Sequence, residues 1–153
     1  MGARESGLWT YLRDADMSLE MDLRRVENVI ENGTPDVEGI VHGRAPFHIE
    51  LKRCDRPARP MTSLRVKWQP GQVEWLHRRW IMGGLCWVLL AVGQGAQRRI
   101  YLIRGDLAGC IRMGQPEEWY KRHSSVGMFA PKASAVLLAA SNPDLNPVAL
   151  IHV

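Results

Sequence analysis

Apolar residues recur along this chain at two different spacings. Leu19, Leu23, Val26 and Ile30 fall at helical intervals and predict a helix capped by Asp16 or Ser18 and ended by Asn32-Gly33. Val37-Glu-Gly-Ile-Val41 and Phe47-His-Ile-Glu-Leu51 are short apolar runs around His42-Gly-Arg-Ala-Pro46, a hairpin signal. Val73, Leu76 and Trp80 mark one face of a second helix, with Pro70 at its first turn and Gly83-Gly84 at its end. Cys86-Trp-Val-Leu-Leu-Ala-Val92 is continuously apolar, as in a strand buried on both faces, and Arg99-Ile-Tyr-Leu-Ile103 follows as another strand. Gly105-Asp106 ends that strand, with Asp106 as a helix cap, and residues 117 to 122 suggest a short helix. Residues 133 to 140 are apolar and are followed by Asn142-Pro143 and Asn146-Pro147. Residues 1 to 17 are mixed; Trp9, Tyr11 and Leu12 there can pack on the domain or on a second subunit.

The hairpin gathers candidate chemistry. With the tightest, two-residue turn, facing residue numbers sum to about 87, so Asp36 lies across from Leu51 and beside Glu50. Alternation puts Glu50 and Lys52 on one face and turns Leu51 into the core. Two acids and a lysine at one strand end suit a divalent cation and a nucleophilic water. His48 shares the face of Glu50, although strand histidines are more often structural.

Charge changes the picture further. Residues 1–43 hold 4 basic and 9 acidic residues (−5), residues 44–79 hold 9 and 3 (+6), and the remainder 7 and 4 (+3), for a net +4. The basic block follows the carboxylates directly, as expected where a polyanion meets a metal site, though it also suits a solvated loop. Its candidates for DNA contact are Arg53, Arg56, Arg59, Arg65, Lys67, Arg78 and Arg79. The proline-containing stretch from Arg53 to Ser63 has no element pattern and is the segment expected to move on DNA binding. Trp68 and Trp75 fit core and interface equally well, since tryptophan also stacks on unpaired bases. Cys54, Cys86 and Cys110 have neither disulfide parity nor zinc spacing, and are expected as free thiols. No apolar run approaches the ~20 residues of a membrane span, and the start lacks signal-peptide regions, so a cytoplasmic protein is expected.

Asp36 after Pro35, then Glu50-x-Lys52, resembles the PD-(D/E)xK nuclease signature. Gly33-Thr-Pro-Asp36, Ile49-Glu-Leu-Lys52 and the downstream Gln72 are most similar to the stand-alone VRR-NUC branch of phages and bacteria. The resemblance implies one domain of α/β class. Its restriction-endonuclease-like core is a central mixed β-sheet flanked by helices in αβββαβ order, over about residues 18–104, with an extension at 105–153. It implies catalytic roles for Asp36, Glu50, Lys52, Glu27 and Gln72. Mg²⁺ or Mn²⁺ would be held by Asp36, Glu50 and the Leu51 carbonyl, with Glu27 in reach of a metal-bound water or a second ion. Glu27 is the best match to the family's helical glutamate and lies about 70° from the centre of the helix's apolar face; Glu20 and Glu31 flank it. Gln69 is the alternative to Gln72 if the helix starts in another register. The implied activity is metal-dependent endonucleolytic cleavage of DNA, of the Holliday-junction-resolvase kind, in a bacterial or phage-infected cell. A nickase, a flap or degradative nuclease of the same fold, and a non-catalytic DNA-binding protein are the alternatives. Stand-alone relatives pair as two-fold dimers, so a homodimer is expected, with Trp9, Tyr11 and Leu12 or Val136-Leu-Leu138 between subunits.

Overall fold

The structure is a computed structural model that describes residues 3–27, 33–127 and 131–150. Its elements are α1 (Ala3–Arg13), β1 (Met21–Arg25), β2 (Val37–Val41), β3 (Phe47–Cys54), α2 (Gln72–Ile81), β4 (Leu85–Val92), β5 (Arg99–Arg104), α3 (Ala108–Met113), α4 (Glu117–His123), α5 (Ala133–Ala140) and α6 (Pro147–Leu150). The five strands lie side by side in chain order. Only β3 and β4 are parallel, joined by the crossover that carries α2, so the sheet is mixed. Among the described residues no helix is long and apolar enough to cross a membrane.

The first predicted helix is corrected. Met21–Arg25 is a strand paired antiparallel to β2, and residues 28–32, with Ile30 and Glu31, lie outside the described residues. Met-Asp-Leu-Arg also alternates with period two, and a partner strand decides between the two periods. Leu23 reaches across Gly39 to Phe47, so closely that a Cβ at Gly39 would stand 2.5 Å from Leu23 Cδ2 and 2.6 Å from Phe47 Cζ. The leading helix is instead α1, whose Leu8 and Leu12 are fully buried. The αβββαβ succession is therefore present, with its helix ahead of residue 18 and β5 added at the end.

Strand parity sorts the two faces. Val37, Ile49, Leu51, Trp87 and Leu102 point to one, where α1 and α5 pack and the Trp87 Nε1 donates to the Ala140 carbonyl (3.0 Å). His48, Glu50, Lys52, Val88 and Tyr101 point to the other, which α2 and α4 cover. The apolar patches expected between subunits are thus used within the chain. Leu12, Val136 and Leu137 are fully buried, Tyr11 donates to the Pro131 carbonyl at 2.5 Å, and only Leu138 of that set is exposed. The extension beyond residue 104 is integral to the core for the same reason. Asn146 Nδ2 ties it down by donating to the carbonyls of Trp80 (3.0 Å) and Gly84 (3.1 Å).

Candidate active site

β3 presents Glu50 and Lys52 on the α2 side, while Leu51 between them is fully buried on the opposite face. The hairpin register sums to 86, not 87: Val37 faces Ile49 and Glu38 faces His48. The loop is longer than the two-residue minimum, and one residue of slip carries Asp36 opposite Glu50. At that point β2 has diverged, and the Asp36 side chain takes its place: Oδ2 accepts the Leu51 N–H at 2.9 Å. In a strand the N–H and C=O of one residue point the same way, so the Leu51 carbonyl is directed to the Asp36 side too.

Gly33 sets how close this loop comes to α2. Its φ is +98°, and a Cβ there would stand 2.5 Å from the carbonyl oxygen of Gly71, itself at φ +85°. Glycine satisfies both the left-handed backbone and the contact. The contact brings the Thr34-Pro35-Asp36 stretch to the first turn of α2, where Gln72 is buried. The Gln72 amide then joins the charged groups. Nε2 donates to Glu50 Oε1 at 2.7 Å, and Oε1 accepts from Lys52 Nζ and from the Gln69 N–H, both at 2.9 Å. Lys52 Nζ also lies 3.3 Å from Glu50 Oε1 and 4.8 Å from the centre of the Trp68 ring.

Glu50 is 2% and Lys52 6% exposed, so both charges sit away from water. Burial pushes the Glu50 carboxyl up to about 8; the neighbouring Asp36 adds to the rise and Lys52 opposes it. Glu50 Oε2 is buried and meets no ordinary donor among the described residues, and the hydrogen bond Glu50 makes with Asp36 needs a proton on one of the two carboxyls. A buried carboxylate oxygen, a second carboxylate against it and a main-chain carbonyl on the same side form a hard donor set, which fits Mg²⁺ or Mn²⁺. Among the described residues no group of three or more His, Cys, Asp or Glu side chains gathers, so this set depends on the carbonyl.

The structure brings Asp36, Glu50, Lys52 and Gln72 together. Gln69 contributes its main chain only. Glu27 is neither helical nor in that cluster: it is exposed in the segment after β1, next to Val26, whose N–H donates to the Asp36 carbonyl (2.7 Å). The basic residues divide. Arg59, Arg65, Lys67 and Arg78 are exposed, and Arg79 is exposed with its guanidinium 4.8 Å from the Trp75 ring centre. Arg53 has the parity of Leu51, and so belongs to the α1 face rather than the site's face. Arg56 is a structural clasp. It grips Glu117 with Nε (2.7 Å) and Nη2 (3.0 Å) and donates to the Gln97 carbonyl (2.9 Å), while the Tyr101 hydroxyl donates to Glu117 at 2.6 Å. Neither the clasp nor the Trp68–Lys52 contact has a sequence signal beyond proximity, because the partners come from separate elements. The segment expected to move begins in β3, is held by the Arg56 clasp, and is anchored just past its end, where Leu64 is buried and its N–H donates to the Gln115 carbonyl (2.9 Å). His48 packs edge-on to Trp75 (5.2 Å), and burial, then Arg79, lowers its pKa. All three cysteines are free thiols.

No protein-family model matches the chain, and no curated protein matches it.

Proposed function

We propose that the chain is a metal-dependent DNA endonuclease with a restriction-endonuclease-like core of the PD-(D/E)xK kind. The observation that carries this reading is the buried Glu50 set against the half-buried Asp36 carboxylate, two residues along the strand from a buried lysine. A structural ion pair has no use for a second carboxylate that raises the pKa of the first. A cation site does, because the ion repays the cost of holding two acids together.

Asp36, Glu50 and the Leu51 carbonyl would hold Mg²⁺ or Mn²⁺. When bound, such an ion makes a water nucleophilic near neutral pH and offsets charge on the phosphate. The chain's own groups do the rest. Lys52, held by the Gln72 amide, places a positive charge where the attacking oxygen and the phosphate meet. Gln72 occupies Glu50 Oε1 and leaves Oε2 for the ion. Trp68 limits the directions in which the Lys52 ammonium can swing. The exposed Arg59, Arg65, Lys67, Arg78 and Arg79 supply sequence-independent attraction for the DNA backbone.

The test is a cleavage panel of linear duplex, flap and four-way junction, with Mg²⁺ or Mn²⁺ and with EDTA. A junction cut on two opposed strands supports the resolvase form of the reading. Cuts confined to one strand or to flaps support the nickase or flap form. Binding to every substrate without metal-dependent cleavage makes the protein a DNA-binding module and defeats the proposal.

A further inference from the structure

β1 is one edge of the sheet, and among the described residues nothing pairs with its outer side. The His42 N–H donates to the Glu20 carbonyl (2.8 Å) and the Val26 N–H to that of Asp36 (2.7 Å). With Asp22 facing Ile40 and Arg24 facing Glu38, the even-numbered residues turn their main-chain groups toward β2. The main-chain groups of Met21, Leu23 and Arg25 therefore point outward. A strand edge of this kind is a template for another strand, and charges along it usually keep a second strand away. Here the order of the charges does the opposite.

We propose that β1 pairs antiparallel with β1 of a second copy of this chain, centred on Leu23. In that register Leu23 faces the second copy's Leu23, Met21 faces its Arg25, and Asp22 faces its Arg24. Symmetry repeats the last two contacts. The outward groups of residues 21, 23 and 25 then form up to about six main-chain hydrogen bonds, and the Asp–Arg pairs fall at the closely spaced, non-hydrogen-bonded positions. The registers two residues away are less favourable. Slipping one way sets Asp22 against the second copy's Asp22, a repulsion weighed against two Glu20–Arg24 pairs, and slipping the other way sets Arg24 against its Arg24 with no opposite-charge pair among residues 21 to 25. Within one chain the Arg24–Asp22 contact is exposed and long, at 3.4 Å, so both side chains are available. Leu23, half-buried against Phe47, would be covered further.

The pairing makes one ten-stranded sheet whose two-fold axis runs normal to it, so Asp36, Glu50 and Lys52 of both copies lie on the same face. From strand spacing and rise the two sites stand about 30 Å apart. The inference rests on the edge, not on the nuclease reading, and its test needs no DNA.

Sedimentation of the full chain up to roughly 100 μM should show a species near twice 17.3 kDa. Asp22→Arg and Arg24→Asp, each alone, set like charges opposite one another and should each give a monomer with an unchanged circular dichroism spectrum. Mixed in equal amounts, the two variants regain complementarity, because each supplies the charge the other lacks, and should associate one to one. A wild-type monomer at every concentration, a dimer that survives both single variants, or a mixture that stays monomeric would each overturn the proposal.

Discussion

Replacing Glu50 by glutamine should make the metal-free protein more resistant to high pH. The substitution keeps the side chain's shape and an oxygen for the Gln72 amide and removes the ionisable group. In the fold the Glu50 carboxyl is raised from 4.5 to about 8, chiefly by burial and next by Asp36. Because the folded pKa lies above the unfolded one, the native state holds the extra proton between them. The wild type therefore loses stability as pH rises through that window, from about 4.5 to about 8. At about 1.36 kcal/mol per pH unit, the loss between pH 4.5 and pH 7 is on the order of 3 kcal/mol. His48 contributes with the opposite sign: its pKa is lowered, so its share of stability grows as pH rises toward 6.5. That share is common to both proteins and cancels in the difference. Below about pH 8 the wild-type side chain is itself neutral in the fold, so glutamine mimics it there and the slope is the diagnostic. Urea denaturation in EDTA at about pH 5, 6, 7 and 8 measures it. The wild-type-minus-variant difference should fall steadily and flatten above about pH 8. Mn²⁺ should then stabilise the wild type at the alkaline end and not the variant. Parallel curves for the two proteins would refute a buried, proton-holding Glu50, and with it the electrostatic argument for a cation.

Lys52→Ala should lower cleavage on the order of 10²- to 10³-fold and weaken DNA binding only slightly, measured by single-turnover cleavage beside a binding titration. Gly33→Ala should cost about 2 kcal/mol of unfolding free energy, from left-handed strain plus the clash with the Gly71 carbonyl. Gly43→Ala, also at positive φ but with no atom within 4 Å of the added Cβ, should cost less, and equal losses in denaturant titrations would contradict the role given to the loop–helix contact. Arg56→Ala should destabilise by about 1–3 kcal/mol by stranding Glu117. Arg56, chiefly through its hydrogen bond, holds the Glu117 pKa below 4.5, so this contribution is complete above that pH and fades as pH falls further. An Arg56→Ala deficit that stays constant down to about pH 3 would contradict it.

Much of the fold was legible because it is written in local pattern. The run from Leu85 to Val92 reads as an interior strand and every residue of it is buried, and α2 buries the Val73, Leu76 and Trp80 face that its spacing predicts. Two acids and a lysine at one strand end were readable from strand alternation and the hairpin. Other features depended on partners distant in sequence. Met21–Arg25 fits helical and strand periods alike, and only β2 beside it made it a strand. The hairpin register hung on the true loop length, and one residue decided that Asp36 faces Glu50. Trp9 to Leu12 and Val136 to Leu138 looked like surplus apolar surface until α1 and α5 met on the sheet. Arg56 looked like one more arginine of the basic block until Glu117, 61 residues on, came within 2.7 Å. Short-range periodicity is set by the chain's own geometry, so sequence alone determined the strands from β2 to β5, the second helix and the face shared by Glu50 and Lys52. Which buried charge finds which partner, and which apolar face is left over, is set by packing across long loops, and only the tertiary structure decided it.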